Sequence, residues 1–175
     1  MDRVNLQFNS DNTVATVALN RPEKHNGVDW PMLKEVRKVQ QQLARHKTLR
    51  AVILKGEGPS FCAGLDVKSV MSNPKTGLIM YANLWLPMRN IFQTWSMGWR
   101  DLGVPVIAQI HGNCFGAGIQ YAMGADIRVC TPDSQLSILE AKWGLESLLL
   151  KARRMNSTVR TSWTQKRLCE RCRAT

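Results

Sequence analysis

Apolar and polar residues alternate from Val4 to Phe8 and again from Val14 to Leu19, on either side of the polar stretch Asn9-Ser10-Asp11-Asn12. Period-two alternation around a turn-rich tetrapeptide predicts a β-hairpin, which Arg21-Pro22 then ends. The period changes after Asp29. Leu33, Val36, Val39 and Leu43 recur at helical spacing, Pro31 fits the first helical turn and Asp29 is a suitable N-cap. Residues 30–46 are therefore predicted to form an amphipathic helix with Lys34, Arg37, Lys38, Gln41 and Arg45 on its polar face. Two short apolar runs, Leu49 to Leu54 and Val104 to Ile110, predict strands buried on both faces. Ala117 to Ala125 reads as a helix, and Ile127 to Cys130 as a strand that stops at Thr131-Pro132. The apolar stretch from Leu78 to Trp99, with Trp85, Trp95 and Trp99 and an interruption at Pro87, reads as a kinked core helix rather than a membrane span. Strand, helix and strand in that order imply right-handed crossovers and a parallel sheet, an α/β class.

Two glycine-rich turns stand between strand and helix in this pattern. They are Ser60-Phe61-Cys62-Ala63-Gly64-Leu65-Asp66 and His111-Gly112-Asn113-Cys114-Phe115-Gly116-Ala117-Gly118. Each is predicted to leave unpaired backbone N–H groups at a helix start. If the turns face each other, two such donors converge on one oxygen and stabilise a developing oxyanion, which suits enolate chemistry on a thioester. Taken singly, each turn reads as an ordinary strand-to-helix connection in which glycine relieves strain.

Composition narrows the classes. The chain has 175 residues and an apolar fraction of 44%, enough for one domain with a real core. Its net charge of +11 points to nucleic acid until it is divided along the sequence. Residues 1–145 carry 16 Lys+Arg against 11 Asp+Glu, or +5, and the last 30 residues carry 8 against 2, or +6. The basic character is mostly a tail property. That tail has Trp163 but no interleaved aromatics and no recognition helix, so a nucleic-acid binder ranks last and no nucleic acid is expected as partner. Five cysteines, at 62, 114, 130, 169 and 172, form no disulfide framework, and the Cys169/Cys172 spacing lacks the second pair or histidine a zinc site needs. The beginning of the sequence has no apolar run, and neither a signal peptide nor a membrane segment is expected. A cytoplasmic location follows as the expectation.

Four segments together carry a resemblance: Leu19-Asn20-Arg21-Pro22-Glu23-Lys24-His25-Asn26; Phe61-Cys62-Ala63-Gly64-Leu65-Asp66-Val67-Lys68; the run Pro105 to Asp126; and Ile138-Leu139-Glu140-Ala141-Lys142-Trp143-Gly144-Leu145. In this order and spacing they resemble the crotonase superfamily, the enoyl-CoA hydratases and isomerases of fatty-acid β-oxidation, over residues 4–145. The resemblance implies a crotonase-like spiral of βαβ units that binds acyl-CoA, with coenzyme A as part of the substrate and no separate cofactor or metal. It implies backbone donors at Leu65 and Ala117, each following a glycine, Gly64 or Gly116, that lets the chain bend sharply. Ala63, Asp66 and Lys68 around the first turn, with Lys24, Gly116 and Gln120, are the implied substrate contacts. Lys24 and Lys68 are candidate phosphate partners, with solvated surface charge as the alternative reading.

Hydratases of this family use two glutamates. The first position here holds Gln120, and Glu140 matches the second, in a setting (Ile138, Leu139, Ala141, Trp143) apolar enough to raise its pKa toward proton transfer. Glutamine can orient water but cannot shuttle a proton near neutral pH, so double-bond isomerisation is the expected chemistry rather than hydration. Asp66 and Asp126 read as structural carboxylates, and Cys62 and Cys114 as packing. His25, His46 and His111 lack the neighbours for a metal site or a triad.

The family pattern stops at Leu145. Residues 146–175 read as a basic tail of unrelated text, as a truncation or a shifted reading frame produces, so the fold is expected to be C-terminally incomplete. Relatives are expected to form trimers or hexamers, an assembly the short C-terminus would compromise. A vestigial protein that binds acyl-CoA without turnover is the alternative to the enzyme.

Overall fold

A computed structural model describes residues 2–71 and 91–138. The hairpin forms as the alternation predicts, from β1 (Val4–Phe8) and β2 (Val14–Leu19), antiparallel with Val4 opposite Leu19. Its turn is closed by one side chain. The Asn9 Oδ1 accepts the N–H groups of Thr13 at 2.8 Å and Val14 at 2.9 Å, while Asn12 takes the left-handed backbone region that asparagine tolerates.

Helix α1 (Trp30–Ala44) carries the chain from β2 to β3 (Ala51–Gly56), which pairs parallel to β2. Asp29 caps α1 by accepting the Met32 N–H at 2.9 Å, and the helix buries Met32, Leu33, Val36, Val39 and Leu43 on one face. A second tie comes from Glu35, whose Oε2 accepts the Arg3 and Val4 N–H groups and pins the start of β1 to the helix. Strand β3 starts two residues later than the apolar run predicts. Leu49 still closes a turn onto the His46 carbonyl, and pairing begins only once the Arg50 and Ala51 N–H groups reach the Thr13 carbonyl.

Helix α2 (Val67–Met71) follows the first glycine-rich turn, and α3 (Ile91–Met97) is the described part of the predicted apolar helix, most of whose span lies outside the described residues. Strands β4 (Val106–Ile110) and β6 (Ile127–Cys130) complete one sheet of order β1-β2-β3-β4-β6, parallel in every pair but the first. Burial in β3 and β4 alternates: Val52, Leu54, Val106, Ala108 and Ile110 are buried, whereas Ile53 is half-buried and Gln109 exposed. One face of the sheet is thus more covered than the prediction of two buried faces allows. Helix α4 (Ala117–Met123) lies between β4 and β6 and stops two residues early, where the Gly124 and Ala125 N–H groups tighten onto Tyr121 and Ala122. A second sheet of two three-residue parallel strands, β5 (Asn113–Phe115) and β7 (Gln135–Ser137), has no counterpart in the sequence reading. Three residues are too few to show a period.

An aromatic cluster joins these layers. The Tyr121 ring lies 4.4 Å from Trp95, 5.5 Å from Trp99 and 6.0 Å from Phe61, centroid to centroid, and all four side chains are buried. The Trp95 Nε1 also donates to the Ala117 carbonyl at 2.9 Å, so α3 holds the first turn of α4. The Tyr121 hydroxyl has no hydrogen-bond partner among the described residues, and burial pushes its pKa well up. A buried unpaired hydroxyl costs about 1–3 kcal/mol of desolvation. Tyr121→Phe is therefore expected to leave the protein as stable or to stabilise it by about 1 kcal/mol in denaturant titrations, and a loss of more than about 1 kcal/mol would contradict this account of the core.

Candidate functional site

The stretches that leave β3 and β4 run side by side. Phe61 N–H donates to the His111 carbonyl at 2.9 Å, Cys62 N–H to Asn113 at 3.0 Å, and Phe115 N–H back to Cys62 at 2.9 Å, a short parallel ladder outside the main sheet. Helix α4 then rests on the first turn. A methyl group at Gly118 would lie 2.5 Å from the Cys62 carbonyl oxygen, a distance no real side-chain carbon adopts. The two turns singled out in the sequence are therefore locked together, and glycine at 118 sets how closely.

Peptide planarity fixes where the two candidate donors aim. In a trans peptide the C=O and N–H point to opposite sides. The Gly64 carbonyl accepts the Val28 N–H at 2.8 Å, so the Leu65 N–H in the same peptide unit is turned away from Val28. The Gly116 carbonyl accepts the Gln120 N–H at 3.2 Å, so the Ala117 N–H leaves the helix at its open end. Neither N–H has a hydrogen-bond partner among the described residues. A methyl group at Gly64 would lie 3.1 Å from the Phe115 carbonyl oxygen and 3.8 Å from the Ala117 nitrogen, so the first turn packs directly against the peptide that opens α4. One expectation changes. Leu65 does not open a helix; it precedes the cap of α2 and sits in an isolated parallel bridge with Val28, because its flanking peptides bond to Val28 on both sides.

A model of the family described as Enoyl-CoA hydratase/isomerase matches residues 9–165. The chain belongs to this family, within the crotonase superfamily. The mitochondrial Delta(3,5)-Delta(2,4)-dienoyl-CoA isomerase of Mus musculus is 31% identical over 137 residues, covering 75% of this chain and 42% of that protein. The hydroxycinnamoyl-CoA hydratase-lyase of Pseudomonas fluorescens is 28% identical over 149 residues, covering 83% of this chain and 52% of that protein. Among solved structures, the enoyl-CoA hydratase from Bacillus anthracis superposes with a TM-score of 0.69 at 25% identity, over 81% of this chain and 52% of that one. The fold is the crotonase fold, and the chain spans about half the length of the curated relatives it matches.

The remaining residues of the enoyl-CoA hydratase/isomerase motifs sit as follows. Ala63 is fixed by its N–H bond to the His25 carbonyl at 2.8 Å, which brings the loop of Lys24 alongside the first turn. Lys24 and Lys68 are both exposed. Gln120 lies half-buried on the first turn of α4. Both oxygens of Asp66 are engaged by protein: Oδ1 accepts the Ser69 N–H at 3.1 Å, capping α2, and Oδ2 meets Arg21 Nη1 at 2.9 Å. Partial burial opposes the charge, but the Ser69 N–H and the Arg21 guanidinium hold the carboxyl below its ordinary range. Asp126 likewise accepts the Val106 N–H at 2.9 Å, joining the end of α4 to β4. Burial pushes the Cys62 thiol up to about 12 and raises that of Cys114, which leaves both as packing groups rather than nucleophiles. Glu140 lies outside the described residues, three positions beyond Ser137, whose carbonyl accepts the Gly116 N–H at 2.9 Å. No helix among the described residues is long and apolar enough to cross a membrane. Sequence reasoning overlooked Val28 and Ser137: a single apolar residue and a strand of three residues carry no local signal for bonds made across the fold.

Two measurements test this geometry. Gly118→Ala is expected to destabilise the protein by about 1–3 kcal/mol, since the added methyl meets backbone rather than a flexible side chain; wild-type stability in the variant would show that the turns are not in contact. Asp66 has a lowered pKa in the folded state, so its contribution to stability is complete above the ordinary carboxylate value and is lost as pH falls through the folded one. Denaturation of wild type and Asp66→Asn should therefore show a stability gap at neutral pH that narrows below about pH 4; a gap constant down to pH 2 would contradict the Arg21 and Ser69 contacts.

Proposed function

We propose that the chain acts on the thioester of an enoyl-CoA, holding the enolate oxygen between the Leu65 and Ala117 N–H groups while Glu140 removes a proton and returns it at another carbon. The observation that supports this reading is that the Leu65 and Ala117 amides lie on adjoining turns without a hydrogen-bond partner among the described residues, each turned away from the bond its own peptide carbonyl makes. Two preorganised donors aimed at developing charge lower the barrier to enolate formation without reorganising during the reaction. The reaction conserves atoms: the proton that leaves the carbon next to the thioester, or its vinylogue, goes to the Glu140 carboxylate and returns at the far end of the delocalised system. Water takes no part.

Gln120 favours migration over hydration, since a neutral amide on α4 cannot supply the second proton-transfer group that adding water needs. The relatives named as dienoyl-CoA isomerases, at 31% identity, support the same preference. Lys24 and Lys68, with Ala63, Gly64, Asp66 and Gly116 forming the wall between them, flank the path we assign to coenzyme A. The free, buried thiols of Cys62 and Cys114 suit the reducing, cytoplasmic compartment of this reading.

The test follows double-bond migration and hydration separately with enoyl-CoA substrates, on this chain and on Glu140→Gln. Migration is expected in the unmodified chain and is expected to fall by about 100-fold or more in the variant, with hydration negligible in both. Acyl-CoA binding without turnover, unaffected by Glu140→Gln, would replace the enzyme with the vestigial binding protein. Migration unchanged in the variant would remove Glu140 from the mechanism.

A further inference from the structure

We infer that Arg21 is a positioning residue for the Leu65 amide, orienting and polarising it through two peptide groups in series. The inference rests on the reading of Leu65 as an oxyanion donor. Arg21 is buried, 7% exposed, and its Nη1 donates to the Gly27 carbonyl at 2.9 Å. The Gly27 carbonyl shares a peptide with the Val28 N–H, which donates to the Gly64 carbonyl at 2.8 Å, and that carbonyl shares a peptide with the Leu65 N–H. A cation is thus connected to the proposed donor by an unbroken line of hydrogen bonds and amide resonance. Each link is polarised by the one before it: positive charge at the Gly27 oxygen makes the Val28 N–H a stronger donor, and this in turn strengthens the Leu65 N–H.

The same nitrogen also holds the other side of Leu65. Nη1 bonds Asp66 Oδ2 at 2.9 Å, and Asp66 N–H donates to the Val28 carbonyl at 2.9 Å, so Leu65 is fixed before and after by groups that Arg21 touches. Asp29 Oδ2 lies 3.6 Å from Nη1 and Glu23 Oε1 lies 3.8 Å from Nε, and Arg3 shares both of these oxygens, at 3.1 Å and 3.9 Å. One planar nitrogen with two hydrogens at a fixed angle can serve the Gly27 oxygen and Asp66 together. A lysine ammonium in the same place is a compact point charge and does not reproduce that fork.

A purely structural Arg21 would alter stability alone, so the test reads the polarisation of a bound thioester. The probe is 4-dimethylaminocinnamoyl-CoA, whose absorption moves to longer wavelength as electron density is drawn toward its carbonyl oxygen. Wild type is expected to bind it with a red shift. Arg21→Lys is expected to bind it within about threefold of wild type but with a smaller shift, and to lower kcat for migration on the order of tenfold with little change in KM. A wild-type shift and kcat in a folded Arg21→Lys overturn the inference and leave the two-amide site standing. Tight binding with no shift in wild type sinks the site itself. Should the variant fail to fold, the unmodified chain decides: couplings across the hydrogen bonds from Arg21 Nη1 to the Gly27 carbonyl carbon, and from the Val28 nitrogen to the Gly64 carbonyl carbon, are expected by NMR, and absence of either overturns the inference.

Discussion

A trans peptide must present its carbonyl and its N–H on opposite sides, and at two places in this chain that rule converts an ordinary structural bond into an outward-facing donor. Val28 takes the Gly64 carbonyl and Gln120 takes the Gly116 carbonyl, so the Leu65 and Ala117 N–H groups point away from those bonds and have no partner among the described residues. No side chain is needed to aim them. The constraint explains why the residue types at 65 and 117 are chemically bland, and why the residues that matter around them are those that set the backbone. Gly64 and Gly116 both have positive φ, at 98° and 49°, and Gly116 combines it with a ψ that a side chain would forbid.

Contacts from several elements of the described fold converge on the two turns. The parallel sheet delivers β3 and β4 as neighbours, so the stretches that follow them emerge together and continue as the Phe61–Cys62 and His111–Phe115 ladder. Layers above and below then fix the turns from outside. The loop after β2 reaches the first turn through Val28 and His25, and the aromatic cluster reaches the second through Trp95 on the Ala117 carbonyl. Each turn is thus held by a hydrogen bond from outside itself as well as by the ladder between the two, which limits drift more than a loop alone could.

How much of this was legible in the sequence depends on the range of the interaction. The hairpin, α1 with its Asp29 cap, the alternation of strand and helix and the two turns all announce themselves through period or through capping chemistry, both local. The pairing of the turns was readable only as a condition, that they face each other, because the ladder joins residues some fifty positions apart. Strands β5 and β7 were invisible for want of length, yet β7 places the Ser137 carbonyl on Gly116 and so ties the segment before Glu140 to the second turn. The Asp66 cap was legible, but the tie between Leu65 and Val28 was not: Val28 belongs to a different loop and shows as nothing more than one buried apolar residue.

Asp66 poses the sharpest electrostatic question, since it follows the proposed donor directly and a carboxylate near a developing oxyanion opposes the charge the site is meant to stabilise. At an effective dielectric near 20, two unit negative charges about 6 Å apart repel by about 3 kcal/mol, comparable to the benefit of an oxyanion-hole donor. The structure counters this with contact: Asp66 gives one oxygen to the Ser69 N–H and the other to Arg21, so its charge is matched by a buried cation less than 3 Å away. That cation also touches the Gly27 carbonyl, at the head of the peptide line to Leu65. A single guanidinium thereby offsets the nearest unfavourable charge and orients the peptide line that ends at the donor. The carboxylate can then keep its role as helix cap without weakening the site beside it.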